Sequence, residues 1–112
     1  MSMPSFHLGF LLLLLFQSVA GVPSDELLNK LEPRGYVSDY ADIVPQEQES
    51  QLESLLQELE RRTGVEMAVV TLDSLEGGEI RDFSNRLFQK WGVGQSGQDN
   101  GLLFLTAIQE RR

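Results

Sequence analysis

The sequence predicts an α/β fold built on a βαβ unit. Residues 66–72 form a short apolar run with β-branched side chains, as is typical of a strand buried on both faces. Residues 102–108 form a second, fully apolar run, and residues 79–91 between them carry apolar side chains at helical spacing. A strand, a helix and a strand that follow one another so closely predict two parallel strands joined by a helix.

The first twenty residues differ from the rest of the chain. Residues 1–22 contain no Lys, Arg, Asp or Glu, and residues 10–16 form an apolar run that is too short to span a bilayer comfortably. Ser18 and Ala20 supply the small residues that a signal peptidase reads. We therefore expect a signal peptide at residues 1–20, with an uncleaved membrane anchor as the alternative. Either way, the rest of the chain is expected outside the cytoplasm, in a periplasmic, lumenal or extracellular space.

Charge and composition exclude several classes of function. Residues 21–112 carry the whole net charge of −8, and their basic residues are scattered, so we expect no nucleic-acid partner. The chain has no cysteine, and its one histidine, His7, leaves with the leader. This excludes Ser-His and Cys-His nucleophilic sites and zinc bound by His or Cys in the mature chain. Cations are the electrostatic partners that remain.

Residues before the βαβ unit predict a linker, an extended segment and one helix. Residues 21–32 are polar and indicate a linker, in which residues 25–31 could form one turn of helix. Residues 31–45 are interrupted by proline and glycine and are expected to be extended. In residues 45–62 four leucines recur at i, i+3, i+4 and i+7, and Pro45 and Gly64 fit the two ends of a helix.

Two strands alone make a marginal sheet with unpaired edges. The sequence stops where a third strand would be needed. We therefore expect either that the chain is truncated at its C-terminal end or that it depends on the edge of a partner, and we favour truncation.

Glycines separate the second helix from the second strand. Residues 92–97 match the G-x-G-x-x-G pattern, but they follow a helix and precede a strand, which is the reverse of the order in a dinucleotide site. A connecting loop is the better interpretation. Asp99 and Asn100 precede Gly101 in a strong turn pattern, which forms either a turn alone or a turn that also binds metal.

Acidic residues lie where the first helix begins and the first strand ends. Asp39 and Asp42 precede the helix, and Asp73 follows the strand. The helix runs antiparallel to that strand, so these residues are expected at one edge of the sheet, where carboxylates would suit Ca²⁺ or Mg²⁺. Asp99 is expected at the opposite edge. The alternative is that Asp39 and Asp42 are solvated turn acids.

Five segments in order resemble the TPM domain family, which is named for a thylakoid-lumen protein, a photosystem II repair protein and a nematode modulator of acetylcholine receptors. The segments are residues 35–42, 59–64, 68–71, 87–94 and 99–105. The resemblance spans residues 33–112. It implies a three-layer α/β/α sandwich around a small mixed sheet, exported and often tethered to a membrane by a later helix.

The family resemblance also implies a function. Members have been associated with divalent-metal binding and acid phosphatase activity, and others resemble non-enzymatic regulators or maintenance factors of membrane protein complexes. Asp39, Asp99 and Asn100 match recurrent acidic positions of the family. With Asp42 they are the predicted metal ligands, and Ca²⁺ is the expected ion. A non-catalytic, cation-binding module is our leading hypothesis, and a metal-assisted phosphatase with Arg34 as the phosphate clamp is the competing one.

Overall fold

The computed structural model describes residues 22–94 and 98–110, so the expected signal peptide and the middle of the glycine-rich loop lie outside the described residues. In chain order, the described elements are α1 (Pro23–Lys30), β1 (Val37–Asp39), α2 (Gln46–Thr63), β2 (Glu66–Leu72), α3 (Ile80–Trp91) and β3 (Gly101–Ala107). None of the helices in this part of the chain is long and apolar enough to cross a membrane.

The sheet contains β1, β2 and β3 in that order, and all three strands are parallel. β2 pairs along its whole length with β3, and its C-terminal half pairs with β1. This confirms the α/β fold and the βαβ unit. The resemblance implied a mixed sheet, but no antiparallel strand occurs within the described ranges. β1, inside the segment expected to be extended, supplies a third strand beside the two apolar runs.

The two faces of the sheet are covered by different helices. Val70 and Leu72 of β2 belong to a core cluster with residues of α1 and α3. Met67, which points to the other face, lines a groove with Leu56 of α2. These contacts place helices on both sides of the sheet and form the expected three layers. The buried members of the core cluster are Leu28, Leu31, Val70, Leu72, Leu75, Phe83, Leu87 and Ala107.

Helix α1 is longer and more deeply packed than the single helical turn that was expected at residues 25–31 of a linker. Leu28 and Leu31 are 5% and 4% exposed and belong to the core. The helix begins with Pro23 in its first turn, and Lys90 of α3 donates hydrogen bonds to three carbonyl oxygens at its C-terminal end, at 2.7 to 3.0 Å. The segment is therefore a structural part of the domain.

Strand β3 is covered on one face and open on the other. Leu103 and Leu105 pack against the core cluster, whereas Leu102 and Phe104 are 54% and 55% exposed. Leu55 of α2 is also exposed, at 64%. β2 is mostly buried, but the fully apolar composition of β3 does not correspond to burial on both faces.

Candidate functional site

Asp39 is a buried carboxylate at the C-terminal end of β1. Its side chain is 6% exposed and lies beside Thr71 of β2, with which it is in register. The Thr71 hydroxyl donates a hydrogen bond of 2.5 Å to Oδ1. The backbone N–H groups of Ile43 and Val44 donate to Oδ1 at 3.1 Å and to Oδ2 at 2.9 Å. Asp39 therefore ties the loop that leads into α2 to the centre of the sheet.

These hydrogen bonds determine the charge of Asp39. Burial alone would raise the pKa of Asp39, but the hydrogen bonds from Thr71, Val44 and Ile43 outweigh it and hold the pKa below its usual value. The carboxylate is therefore ionised at neutral pH and acts as an acceptor. This is the state that a cation ligand needs and that a general acid does not have.

The turn after Asp39 presents Asp42 to solvent. The N–H of Ala41 donates to the Thr71 hydroxyl at 3.0 Å, and the N–H of Asp42 donates to the backbone oxygen of Asp39 at 3.3 Å. Asp42 has a left-handed backbone with a φ of 55°, and its side chain is exposed. The structure thus places Asp39 and Asp42 in one anchored turn, with one carboxylate buried and the other open.

Arg34 lies against the same turn. Its Nη1 donates to the backbone oxygen of Asp39 at 3.4 Å, and its guanidinium carbon is 4.1 Å from the centre of the Tyr40 ring. A groove of about 510 Å³ runs beside it along β1 and the first half of α2. The side chains that line this groove include those of Arg34, Asp39, Glu49, Ser50, Glu53 and Ser54.

Asp99 and Asn100 lie at the opposite edge of the sheet. Asn100 accepts a hydrogen bond from the N–H of Glu66 at 2.9 Å, and its side-chain amide donates to the Gly64 oxygen at 2.8 Å. Glu66 and Thr71 are five residue steps apart along β2, which corresponds to about 16 Å. The four predicted ligands therefore form two pairs that one ion cannot bridge. Within the described ranges no three His, Cys, Asp or Glu side chains are grouped to hold a metal.

Glu110, which follows β3 at the same edge of the sheet as Asp39, is a residue that the sequence patterns did not indicate. Its carboxylate accepts hydrogen bonds from the hydroxyl of Ser74 at 3.1 Å and from the N–H of Leu75 at 3.0 Å. It thereby closes the turn after β2, near Asp73. No local pattern indicates this contact, because the partners are 35 and 36 residues apart in the chain.

The first glycines of the connecting loop have a packing role. A Cβ at Gly94 would lie 2.6 Å from the backbone nitrogen of Gly101, and a Cβ at Gly101 would lie 2.4 Å from the oxygen of Val93. Gly92 and Gly94 also have positive φ values of 62° and 81°. The glycines therefore allow two backbone segments to touch at the start of β3, which agrees with a connecting loop.

A comparison with family models assigns the chain. The model described as the TPM domain, under the short name TPM_phosphatase, matches residues 37–112. The chain belongs to the TPM domain family. The match includes both pairs of predicted ligands, and it begins at the first residue of β1.

Solved structures agree with the TPM fold. Five chains match, among them the solution NMR structure of the N-terminal domain of a protein from P. gingivalis. That domain is 33% identical, with a TM-score of 0.64, and the match covers 81% of this chain. It covers 56% of the P. gingivalis chain, so this TPM chain spans little more than half of that structure. No curated protein was found to match.

Proposed function

We propose that this TPM domain is a non-catalytic, exported module that binds a divalent cation, with Ca²⁺ as the expected ion, and that regulates or maintains a membrane protein complex. The Asp39 carboxylate carries the proposal. It is buried, ionised and held by three hydrogen-bond donors, so it is fixed in position. A carboxylate in this state is suited to act as a negatively charged ligand in a fixed position. It is not suited to act as a nucleophile or to exchange protons with a substrate.

Asp42 supplies the open part of the proposed site. Its backbone is anchored by Asp39, and its carboxylate faces solvent. Ca²⁺ takes six to eight oxygen ligands, which include carboxylates, backbone carbonyls and water. The Asp39–Asp42 turn would supply the protein carboxylates, and water would complete the coordination. Asp99 and Asn100 would form a separate turn, because they lie at the other edge of the sheet.

The location and the partner are proposed on other grounds. The uncharged apolar leader supports export, and the net charge of −8 supports attraction of cations. The exposed side chains of Leu102 and Phe104 support a role in protein contacts. A membrane tether in the full-length protein rests on the family resemblance.

A calcium titration tests the proposed site. Millimolar Ca²⁺ is expected to raise the melting temperature and to shift the amide resonances of residues 39–44, because an ion that binds the folded state stabilises it. Asp42→Asn is expected to abolish both effects. Asp99→Asn makes the same chemical change at the opposite edge and is expected to leave both intact. Unchanged melting of the parent chain, or equal losses in the two variants, would refute the site.

The competing function is a metal-assisted phosphatase, and the position of Arg34 beside Asp39 is the observation that favours it. A bound divalent ion would polarise a phosphoryl oxygen, and Arg34 would hold the phosphate. Hydrolysis of a generic phosphomonoester at acidic pH, compared between the parent chain and Asp39→Asn, separates the two functions. Circular dichroism would confirm that the variant is folded. Equal rates in the two chains would reject an enzyme at this position.

A further inference from the structure

A second cavity lies at the amino-terminal edge of the sheet, away from the Asp39 turn. Its volume is about 210 Å³, which is below the range of about 300–1,000 Å³ for sites that hold drug-sized molecules. It is therefore suited to a chemical group of a few heavy atoms. The residues that line it include Tyr36, Glu53, Glu66, Met67, Trp91 and Val93.

Carboxylates are fixed in the wall of this cavity. Glu53 accepts hydrogen bonds from the N–H groups of Tyr36 and Val37, at 2.7 and 2.9 Å, one on each of its oxygens. Glu66 accepts from the N–H of Gly94 through Oε1. No Lys or Arg is among the described residues that line the cavity. The wall therefore carries two positioned negative charges without a basic residue to neutralise them.

Tyr36 lies beside these carboxylates at the same edge of the sheet. Its hydroxyl donates a hydrogen bond to Glu60, and this bond contributes most to raising the pKa of Tyr36 to about 12. Burial and the negative charges of Glu60, Glu66 and Glu53 raise the pKa further. The negative charges of these glutamates would attract a bound cation.

We propose that this cavity binds a small alkylammonium group, held between the aromatic side chains of Tyr36 and Trp91 and the carboxylates of Glu53 and Glu66. Aromatic rings attract organic cations through their quadrupole, and the attraction is strongest for tryptophan. Met67 and Val93, which also line the cavity, are apolar residues and would suit the alkyl part. This site lies at the other edge of the sheet from Asp39 and Asp42, and it goes beyond the proposed function because its ligand is organic.

The fluorescence of Trp91 can be used to measure binding. Trp91 is the one tryptophan of the sequence, and its indole Nε1 donates to the Leu31 oxygen at 3.1 Å. Titration of the 112-residue chain with tetramethylammonium chloride is expected to change the tryptophan fluorescence saturably. tert-Butanol, which is similar in shape but uncharged, is expected to produce no saturable change. Sodium chloride at matched ionic strength controls for screening.

Variants connect the response to the cavity. Glu66→Gln keeps an oxygen that can accept from Gly94 but removes the charge, and it is expected to raise the Kd at least about threefold. Glu47→Gln makes the same change on the exposed first turn of α2 and is expected to leave the Kd unchanged. Circular dichroism would confirm that both variants fold.

A comparison of two cations tests which kind of ligand carries the ammonium group. Tighter binding of tetramethylammonium than of n-butylammonium would support a quaternary ammonium ligand, and the reverse would support an unmethylated amine such as a lysine side chain. Equal saturation by tert-butanol, no saturable response to either cation, or equal effects of the two glutamate variants would overturn the proposal.

Discussion

Thr71 holds the Asp39 carboxylate and the turn that follows it in position. The threonine hydroxyl donates to the Asp39 carboxylate and accepts from the N–H of Ala41, so one side chain connects the middle strand to the following turn. Thr71 is 3% exposed. A buried polar group costs free energy unless it is paired, and here each polar group satisfies the other.

Thr71→Val is expected to lower the free energy of unfolding by about 1–3 kcal/mol at neutral pH, because it leaves a buried carboxylate and a backbone N–H each short of one partner. Thr106→Val is the matched control, since Thr106 pairs with Thr71 on the neighbouring strand. The control is expected to change the unfolding free energy by less than about 0.5 kcal/mol. Urea unfolding measures both values, and equal losses would contradict this role of Thr71.

The contribution of Asp39 to stability is expected to depend on pH. The pKa of Asp39 is held below its usual value by hydrogen bonds that outweigh burial, so its contribution to stability is present above the unfolded pKa of about 4. The contribution is lost as the pH falls through the lower folded value. Loss of the Thr71 hydroxyl raises the folded pKa. The difference in unfolding free energy between the parent chain and Thr71→Val is therefore expected to become smaller as the pH is lowered. Urea unfolding at several pH values measures this difference, and a difference that does not change with pH would contradict the role of Asp39.

The sequence predicted where these residues lie but not what they contact. The antiparallel course of α2 was enough to bring Asp39 to the C-terminal end of β2, and Asp99 was expected at the opposite edge, where it lies. The Thr71–Asp39 and Ser74–Glu110 contacts join residues more than 30 positions apart. Their formation depends on strand register, which local patterns do not specify.

Helix α1 shows how the extent of an element can be underestimated. It has only eight residues, and two of them are leucines. A helix this short shows no repeating apolar pattern, so its sequence is similar to that of a polar linker. Its stability comes from tertiary packing on α3 and from Lys90, which bonds to its last carbonyls. The longer elements α2, β2 and α3 were predicted nearly to the residue, because their periodic patterns repeat more often.

Leu28→Ala is expected to lower the free energy of unfolding by about 2–4 kcal/mol, because Leu28 is 5% exposed and lies in the core cluster. Asn29→Ala, at the exposed next position of the same helix, is expected to change it by no more than about 0.5 kcal/mol. Chemical denaturation compares the two variants. If their effects were equal, α1 would be a dispensable linker after all.

At the scale of the whole molecule, the net charge and the ion pairs act on stability in opposite directions. The net charge is −8. Each of the five ion pairs between described residues includes a side chain that is at least 45% exposed. Pairs of this kind contribute little to stability, whereas the net charge destabilises the compact state by self-repulsion.

Added sodium chloride is therefore expected to raise the melting temperature at pH 7, since it screens the repulsion more than it weakens the exposed pairs. The same titration near pH 4.5, the isoelectric point of the sequence, is the control and is expected to give a smaller rise. Calorimetry measures both. A melting temperature that falls with salt at pH 7 would show that the ion pairs dominate.

The contact between Gly94 and Gly101 has a consequence for engineering. Because the two backbones touch where neither residue carries a side chain, the ends of the connecting loop are held by each other. The length of chain between them is therefore of little importance to the sheet, and closing a longer loop costs little additional entropy. This loop is a suitable place to insert an affinity tag or a reporter peptide, provided that both glycines are retained.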